Sequence, residues 1–93
     1  MTPEGRIENY LRRKVLATKG RIRKVRWLDR RGAPDRFIWW PGPHMVFVEC
    51  KAPGKKPTPL QAREHARLRA DGFRVEVIDS FEAVDALLDD MLE

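Results

Sequence analysis

The four residues Pro41-Gly42-Pro43-His44 separate two short apolar segments of the chain. Prolines and glycines clustered in this way mark a reverse turn. The flanking residues 37–40 and 45–51 are therefore predicted to pair as an antiparallel hairpin. Thirteen residues separate Asp35 from Glu49, and antiparallel pairing can bring these two carboxylates side by side. The hairpin thus constrains both the fold and the most informative pair of acidic residues.

Glu49-Cys50-Lys51 closes the second strand of this hairpin. Side chains alternate along a strand, so Glu49 and Lys51 share one face and Cys50 points to the other. Carboxylate and carbonyl oxygens suit Mg²⁺ or Mn²⁺, which makes Asp35, Glu49 and the backbone carbonyl of Cys50 candidate metal ligands. Lys51 could orient an attacking water or neutralise charge on phosphorus. The alternatives are a Pro-Asp turn for Asp35, an arginine partner for Glu49 and a solvated strand end for Lys51.

Caps and apolar spacing predict three helices and two further strands. The predicted elements are a helix from Thr2-Pro3 to about Lys19 with Gly20 as its stop, strands over 21–29, 36–40 and 45–51, a helix from Thr58-Pro59 to about Asp71, a strand over 74–78 and a helix capped by Ser80. The unit from Met45 to Ile78 is long enough for a right-handed parallel crossover. The fold class is therefore α/β, in the order α-β-β-β-α-β-α, with a mixed sheet flanked by helices.

Two helical residues extend the candidate site. Gln61 fits a capping box with Thr58, but in the first turn of its helix it could also reach a phosphate or the attacking water. Glu8 lies at the edge of the stripe Ile7, Leu11 and Val15. It could join the carboxylates, or form a pair with Arg12 four residues later. His65 is interpreted as a packing or polar-rim residue.

The charge of +5 is unevenly distributed. Residues 1–56 carry a net charge of +10 and residues 57–93 carry −5. A basic first half indicates a polyanionic partner, for which nucleic acid is the default; a merely solvated basic surface is the alternative. The candidate phosphate contacts are Arg12, Arg13, Lys14, Arg23, Lys24, Arg30, Arg31, Lys55 and Lys56.

Length and cysteine usage complete the outline. Ninety-three residues are expected to form one domain, residues 1–93. The single Cys50 excludes an internal disulfide and a multi-cysteine zinc site, and is interpreted as a small buried residue. No segment resembles a signal peptide or a membrane span, so a cytoplasmic location is expected.

The ordered set of Arg31-Gly32-Ala33-Pro34-Asp35, Glu49-Cys50-Lys51, Gln61 and a leading helical Glu8 resembles the virus-type replication-repair nuclease (VRR-NUC) domain. This is a branch of the PD-(D/E)XK nucleases with the restriction-endonuclease-like fold, and the resemblance covers Glu4 to about Ile78. It implies Asp35, Glu49 and the Cys50 carbonyl as ligands of Mg²⁺ or Mn²⁺, with Glu8 as the helical acid near the metal. It also implies Lys51 as the catalytic lysine and Gln61 as the signature glutamine.

The expected activity is metal-dependent endonucleolytic hydrolysis of DNA. The resemblance implies a phage-encoded standalone module that acts as a homodimer on branched substrates such as four-way junctions, in which case the expected location is the cytoplasm of the host. Trp39, Trp40, Met45 and Leu92 are candidate interface residues, with core packing as their alternative. Other functions left open are a catalytically idle DNA-binding accessory protein, a nonspecific nuclease and a sequence-specific restriction-type enzyme. The last is disfavoured because 93 residues leave little room for base readout.

Overall fold

The computed structural model describes residues 1–42 and 44–93, and therefore all of the predicted reverse turn except Pro43. Its elements are α1 (Pro3–Ala17), β1 (Arg21–Lys24), β2 (Arg36–Trp40), β3 (His44–Cys50), α2 (Pro59–Ala70), β4 (Val75–Ile78) and α3 (Phe81–Met91). The sheet order is β1-β2-β3-β4. β1, β2 and β3 are antiparallel neighbours, and β3 and β4 are parallel. The predicted α/β class, element order and mixed sheet are confirmed.

The β2–β3 hairpin has a register that its buried residues hold in place. Ile38 pairs with Val46, and Arg36 pairs with Val48. Ile38, Val46 and Val48 are completely buried, so a slip by one residue would turn this apolar row out of the core. The register therefore also fixes the relative positions of Asp35 and Glu49 at the open end of the hairpin.

The main core lies between one sheet face and the helices α1 and α3. The predicted stripe of α1, Ile7, Leu11 and Val15, is buried there. Tyr10 links the two helices, because its hydroxyl donates a hydrogen bond to Asp85 Oδ1 at 2.7 Å. α2 covers part of the opposite sheet face, which carries Glu49.

The end of α1 differs from the prediction in one respect. Lys19, not Gly20, adopts the left-handed conformation after the helix, with φ of 67°. Gly20 is required for a different reason: a Cβ atom there would lie 2.6 Å from Nε1 of Trp40. This indole is 3% exposed and donates a hydrogen bond to Thr18 Oγ1. Trp40 is therefore a core residue, and its prediction as an interface residue is wrong.

The first strand is shorter than predicted, ending at Lys24 rather than at Asp29. One further ladder bond runs from Val25 N to Asp35 O at 2.9 Å. Asp29 then adopts a positive φ of 63°, and Trp27 Nε1 donates to Pro34 O at 2.7 Å. Residues 25–35 thus form a connection that these hydrogen bonds hold in place, with Asp35 directly before β2.

Within the described part of the chain, no helix has the length and apolar character needed to cross a membrane.

Candidate active site

Asp35 and Glu49 stand across from each other at the open end of the β2–β3 hairpin. Arg36 pairs with Val48, so the next position in the same register sets Asp35 opposite Glu49. The Glu49 side chain is 11% exposed. Burial raises the pKa of its carboxyl to about 7, the negative charge of Asp35 adds to this rise, and the ammonium of Lys51 opposes it. The hairpin therefore holds two acidic groups close together at the edge of the core.

Arg36 ties the leading helix to this pair of carboxylates. Its Nη2 lies 2.9 Å from Oε2 of Glu8, and its Nη1 lies 2.9 Å from Oδ2 of Asp35. The guanidinium, with 13% of the side chain exposed, is thus a cation between two anions. Glu8 faces inward as its place beside the apolar stripe predicted, and its ion-pair partner is Arg36 rather than Arg12. Arg36 was not predicted as a site residue from the sequence, although it directly follows Asp35.

Glu4 is a second residue near the site that was not predicted from the sequence. It precedes Glu8 by one helical turn, and its negative charge contributes to the raised pKa of both Glu49 and Cys50. Its spacing of four residues from Glu8 was the available signal. For Cys50, burial is the largest cause and raises the thiol pKa to about 12. The thiol is therefore protonated and buried, as the sequence predicted, while the backbone carbonyl remains the candidate oxygen donor.

Lys51 continues the strand for one residue beyond β3. Its backbone N–H donates to Ile78 O at 2.8 Å, so the parallel pairing with β4 fixes the main chain at this point. The side chain is half-buried, and its positive charge lowers the pKa of Glu49. Lys51 thus shares the environment of Glu49, as strand alternation predicted.

Gln61 forms the capping box that its spacing from Thr58 predicts. Its Oε1 accepts a hydrogen bond from Thr58 N at 3.0 Å, and its own N–H donates to Thr58 Oγ1 at 3.2 Å. Gly32 packs against this first turn of α2 with φ of +82°: a Cβ there would lie 2.9 Å from Leu60 O and 3.0 Å from Gln61 Cα. The connection that ends at Asp35 therefore packs against the first turn of α2, which contains Gln61.

His65 lies one turn further along α2, and its side chain is 1% exposed. Its Nε2 is 3.9 Å from Oε1 of Glu49. Burial lowers the pKa of the imidazole, and the positive charges of Arg69 and Lys51 lower it further. The ring is therefore neutral near pH 7. It is a packing residue, as the sequence indicated, but it packs directly beside the carboxylate of Glu49.

Two grooves carry many of the basic side chains. The first, of about 250 Å³, runs between α1 and β1, where Arg12 and Lys24 lie beside Glu8 and Arg36. The second, of about 290 Å³, runs between the 29–31 segment and α2 and is lined by Asp29, Arg30, Arg31, Leu60, Arg63, Glu64 and Arg67. Arg63 and Arg67 were not predicted as phosphate contacts, because they lie in the acidic half of the chain.

The remaining candidate cations are distributed more widely. Lys55 and Lys56 are exposed in the loop after β3, and the guanidinium of Arg23 lies 5.2 Å from the ring of Trp39. Lys14 lines a different groove, with Asp85, Asp89 and Glu93, and its Nζ is 3.9 Å from Asp85. The guanidinium carbon of Arg13 lies 5.7 Å from the centre of the Tyr10 ring. The structure therefore does not bring Lys14 together with the cations of the two basic grooves.

Comparison with known proteins defines the family. A scan of protein-family models finds no match. The curated protein named "Putative nuclease p44", from Acyrthosiphon pisum secondary endosymbiont phage 1, is 51% identical over 77 residues, which is 83% of this chain and 83% of that protein. A solved structure described as "VRR_NUC domain" has a TM-score of 0.89 and 40% identity, and the match covers 96% of this chain and 97% of the other. The chain belongs to the VRR-NUC family.

The VRR-NUC chain is thus a member of a nuclease family, and the resemblance inferred from its motifs is confirmed. The nuclease fold to which the family belongs generally uses divalent metals. Across residues 1–42 and 44–93, no group of three or more His, Cys, Asp or Glu side chains is arranged to hold a metal ion. The available donors are instead two carboxylates and a backbone carbonyl. This all-oxygen set fits Mg²⁺ or Mn²⁺, since Mg²⁺ commonly takes one or two carboxylates and keeps several waters.

Proposed function

We propose that this VRR-NUC chain is a DNA endonuclease that depends on Mg²⁺ or Mn²⁺, with Asp35, Glu49 and the Cys50 carbonyl as the metal ligands. The observation that carries the proposal is the register of the hairpin, which sets Asp35 opposite Glu49 with Lys51 beside them. Arg36 and Lys51 offset the two negative charges only in part, because the pKa of Glu49 is still raised. A bound divalent cation supplies Lewis-acid stabilisation of the charge that develops on the phosphoryl oxygens.

The residues of the chain have distinct roles in this proposal. Lys51 is the catalytic lysine: its ammonium orients the attacking water and neutralises negative charge at phosphorus. Glu8 is the helical acid, held toward the site by Arg36, and serves the metal directly or through water. Gln61 uses Oε1 in its capping box, which leaves its NH₂ group as a donor for a phosphate.

The basic grooves are proposed to hold the nucleic acid. The first groove is lined by Glu8 and Arg36, and Arg36 contacts Asp35. The second groove is lined by Leu60, which directly precedes Gln61 in α2. Cations in such grooves neutralise phosphates and position the backbone without reading bases. Branched DNA, with four-way junctions as the leading candidate, presents several duplex arms to these surfaces.

The proposed working unit is a homodimer. One chain carries one candidate site, and paired nicks in opposing strands require two sites related by a two-fold axis. Trp39 and Met45 remain the interface candidates on the sheet: both are half-buried, on the face that carries Phe37 and Phe47. Leu92, which is 44% exposed, also remains a candidate.

The activity test uses labelled linear, flap and four-way-junction DNAs incubated with Mg²⁺, Mn²⁺ or a chelator. We expect cleavage with either metal and none in excess chelator. Lys51→Ala and Glu49→Ala should abolish cleavage while leaving folding and DNA binding largely intact, because other cations supply the binding. Cutting that persists in excess chelator would refute metal dependence. Junction binding without cutting under any metal condition would support the accessory-protein alternative.

The DNA-binding test measures affinity as a function of salt. The slope of log K against log [salt] is about −0.9 for each neutralised phosphate of duplex DNA. Glu substitutions at Arg30 and Arg31 should reduce that slope. The control is Lys19→Asn, which removes a charge from an exposed position and suits its left-handed conformation. Lys19 follows the C-terminal end of α1 and lines neither basic groove. A flat salt dependence would point to a partner other than nucleic acid.

The dimer test combines light scattering at micromolar concentration with the same DNA panel. A dimer should give twice the chain mass of 10.9 kDa and should cut a junction in two strands. A strict monomer that nicks linear duplex as readily as a junction would instead favour the nonspecific nuclease.

A further inference from the structure

The ring nitrogen Nε2 of His65 is unusual in this molecule. Among the residues that the structure describes, it is the only buried side-chain nitrogen or oxygen atom without a hydrogen-bond partner. Leaving such an atom unpaired costs free energy, because burial removes its hydrogen bonds to water. The nearest acidic oxygen is Oε1 of Glu49, at 3.9 Å. That separation is about 1 Å too long for a hydrogen bond.

We propose that His65 is a positioning residue, which donates a hydrogen bond from Nε2 to Oε1 of Glu49 and so directs the other carboxylate oxygen toward the cation. The inference rests on the proposed function, because it takes Glu49 as a metal ligand. Carboxylates that bind metals are commonly held in orientation by such outer hydrogen bonds. The two atoms would have to approach by about 1 Å to form this hydrogen bond.

The surroundings of His65 make it a rigid support. The N-terminus of α2 is fixed by the capping box of Thr58 and Gln61, and Gly32 packs closely against it. The ring itself is enclosed, with 1% of the side chain exposed, so it has little freedom to turn away. A neutral imidazole carries one N–H. A partner carboxylate that binds a cation is ionised, so the proton must be on Nε2.

Metal titration of the intact chain without DNA tests the proposal. His65→Phe keeps a ring of similar size but removes the donor, and His65→Gln keeps an N–H donor at similar reach. Calorimetry with Mn²⁺ should give a dissociation constant about 10- to 100-fold weaker for His65→Phe, and within about threefold of the wild type for His65→Gln. Thermal unfolding in chelator checks that both variants are folded.

A spectroscopic measurement tests the direction of the hydrogen bond. The chain has two histidines, and the exposed His44 serves as an internal control. Imidazole ¹H–¹⁵N spectra should show His65 protonated on Nε2, with a resonance that shifts on addition of Mg²⁺. The resonances of His44 should stay in place. Protonation of His65 on Nδ1 in the Mg²⁺-loaded chain would overturn the proposal.

The outcomes separate this inference from the proposed function. If the wild type binds no divalent cation, the metal site fails and the positioning role fails with it. If the wild type binds Mn²⁺ and His65→Phe binds it equally well, the metal site stands and only the positioning role is overturned. A double-mutant cycle with Glu49→Gln adds a third criterion. Additive losses in Mn²⁺ affinity would show that His65 does not act through Glu49.

Discussion

Replacing Glu49 with glutamine should make the metal-free protein more stable while removing its proposed activity. The burial of Glu49 and its closeness to Asp35 raise its pKa from the ordinary 4.5 to about 7 in the folded chain. At pH values between 4.5 and 7, Glu49 is therefore protonated in the folded state and ionised in the unfolded state. Folding stability therefore falls as pH rises from 4.5 to 7, and the loss is complete above 7.

The size of the effect follows from the gap between the two pKa values. That gap corresponds to about 3 kcal/mol, at 1.36 kcal/mol for each pKa unit. Because the side chain is 11% exposed, solvent screening reduces this figure only modestly. We expect Glu49→Gln to exceed the wild type in unfolding free energy by about 2–3 kcal/mol at pH 8.5, and by much less at pH 5.

Urea unfolding in excess chelator, at half-unit steps from pH 5 to 8.5, measures this difference. Subtracting the wild-type curve from that of Glu49→Gln removes the groups that titrate in both proteins. Saturating Mg²⁺ should make the wild type more stable than Glu49→Gln above pH 7, because binding to the ionised wild-type site stabilises the folded state. A difference curve that is flat with pH, or a Glu49→Gln variant less stable than the wild type at pH 8.5, would refute the reasoning.

Two further substitutions test how the site is held together. Arg36→Met removes the cation between Glu8 and Asp35, so it should destabilise the metal-free chain by about 1–3 kcal/mol. It should also enlarge the rise in melting temperature that Mg²⁺ produces. An unchanged rise would argue that Glu8 and Asp35 do not share one site with the metal. Gly32→Ala places a Cβ against the backbone of α2 at 2.9 Å, so it should cost stability and lower kcat. Gly54→Ala is the matched control, since Gly54 has a similar φ of +78° and no atom within 4 Å of the added Cβ. This control variant should lose about 1 kcal/mol of stability. Equal losses in the two variants would contradict the close packing of Gly32 against α2.

The hairpin and the helix starts were predictable because their signals are local. The Pro-Gly turn and the alternation along residues 45–51 depend on neighbours in sequence, as does the cap formed by Thr2. The contacts of Arg36 and His65 depend instead on how α1 and α2 dock onto the sheet. No local pattern encodes that Arg36 meets Glu8, or that the Nε2 of His65 faces Glu49. The choice between an interface and the core for Trp40 stayed open for the same reason, because only docking shows that Gly20 makes room for its indole.

The two ends of the β2–β3 hairpin differ in how much change they should tolerate. At one end, the pairing of Arg36 with Val48 sets the relative position of Asp35 and Glu49; at the other, Pro41 and Gly42 are exposed. The turn lies about 20 Å from the acidic pair, since Pro41 is six residues from Asp35 along the strand at about 3.4 Å each. Extra residues added after Gly42 would lengthen the turn without shifting the buried rows that set the register. This turn is therefore the place to attach a fluorophore or tether when cleavage is to be followed on single DNA molecules.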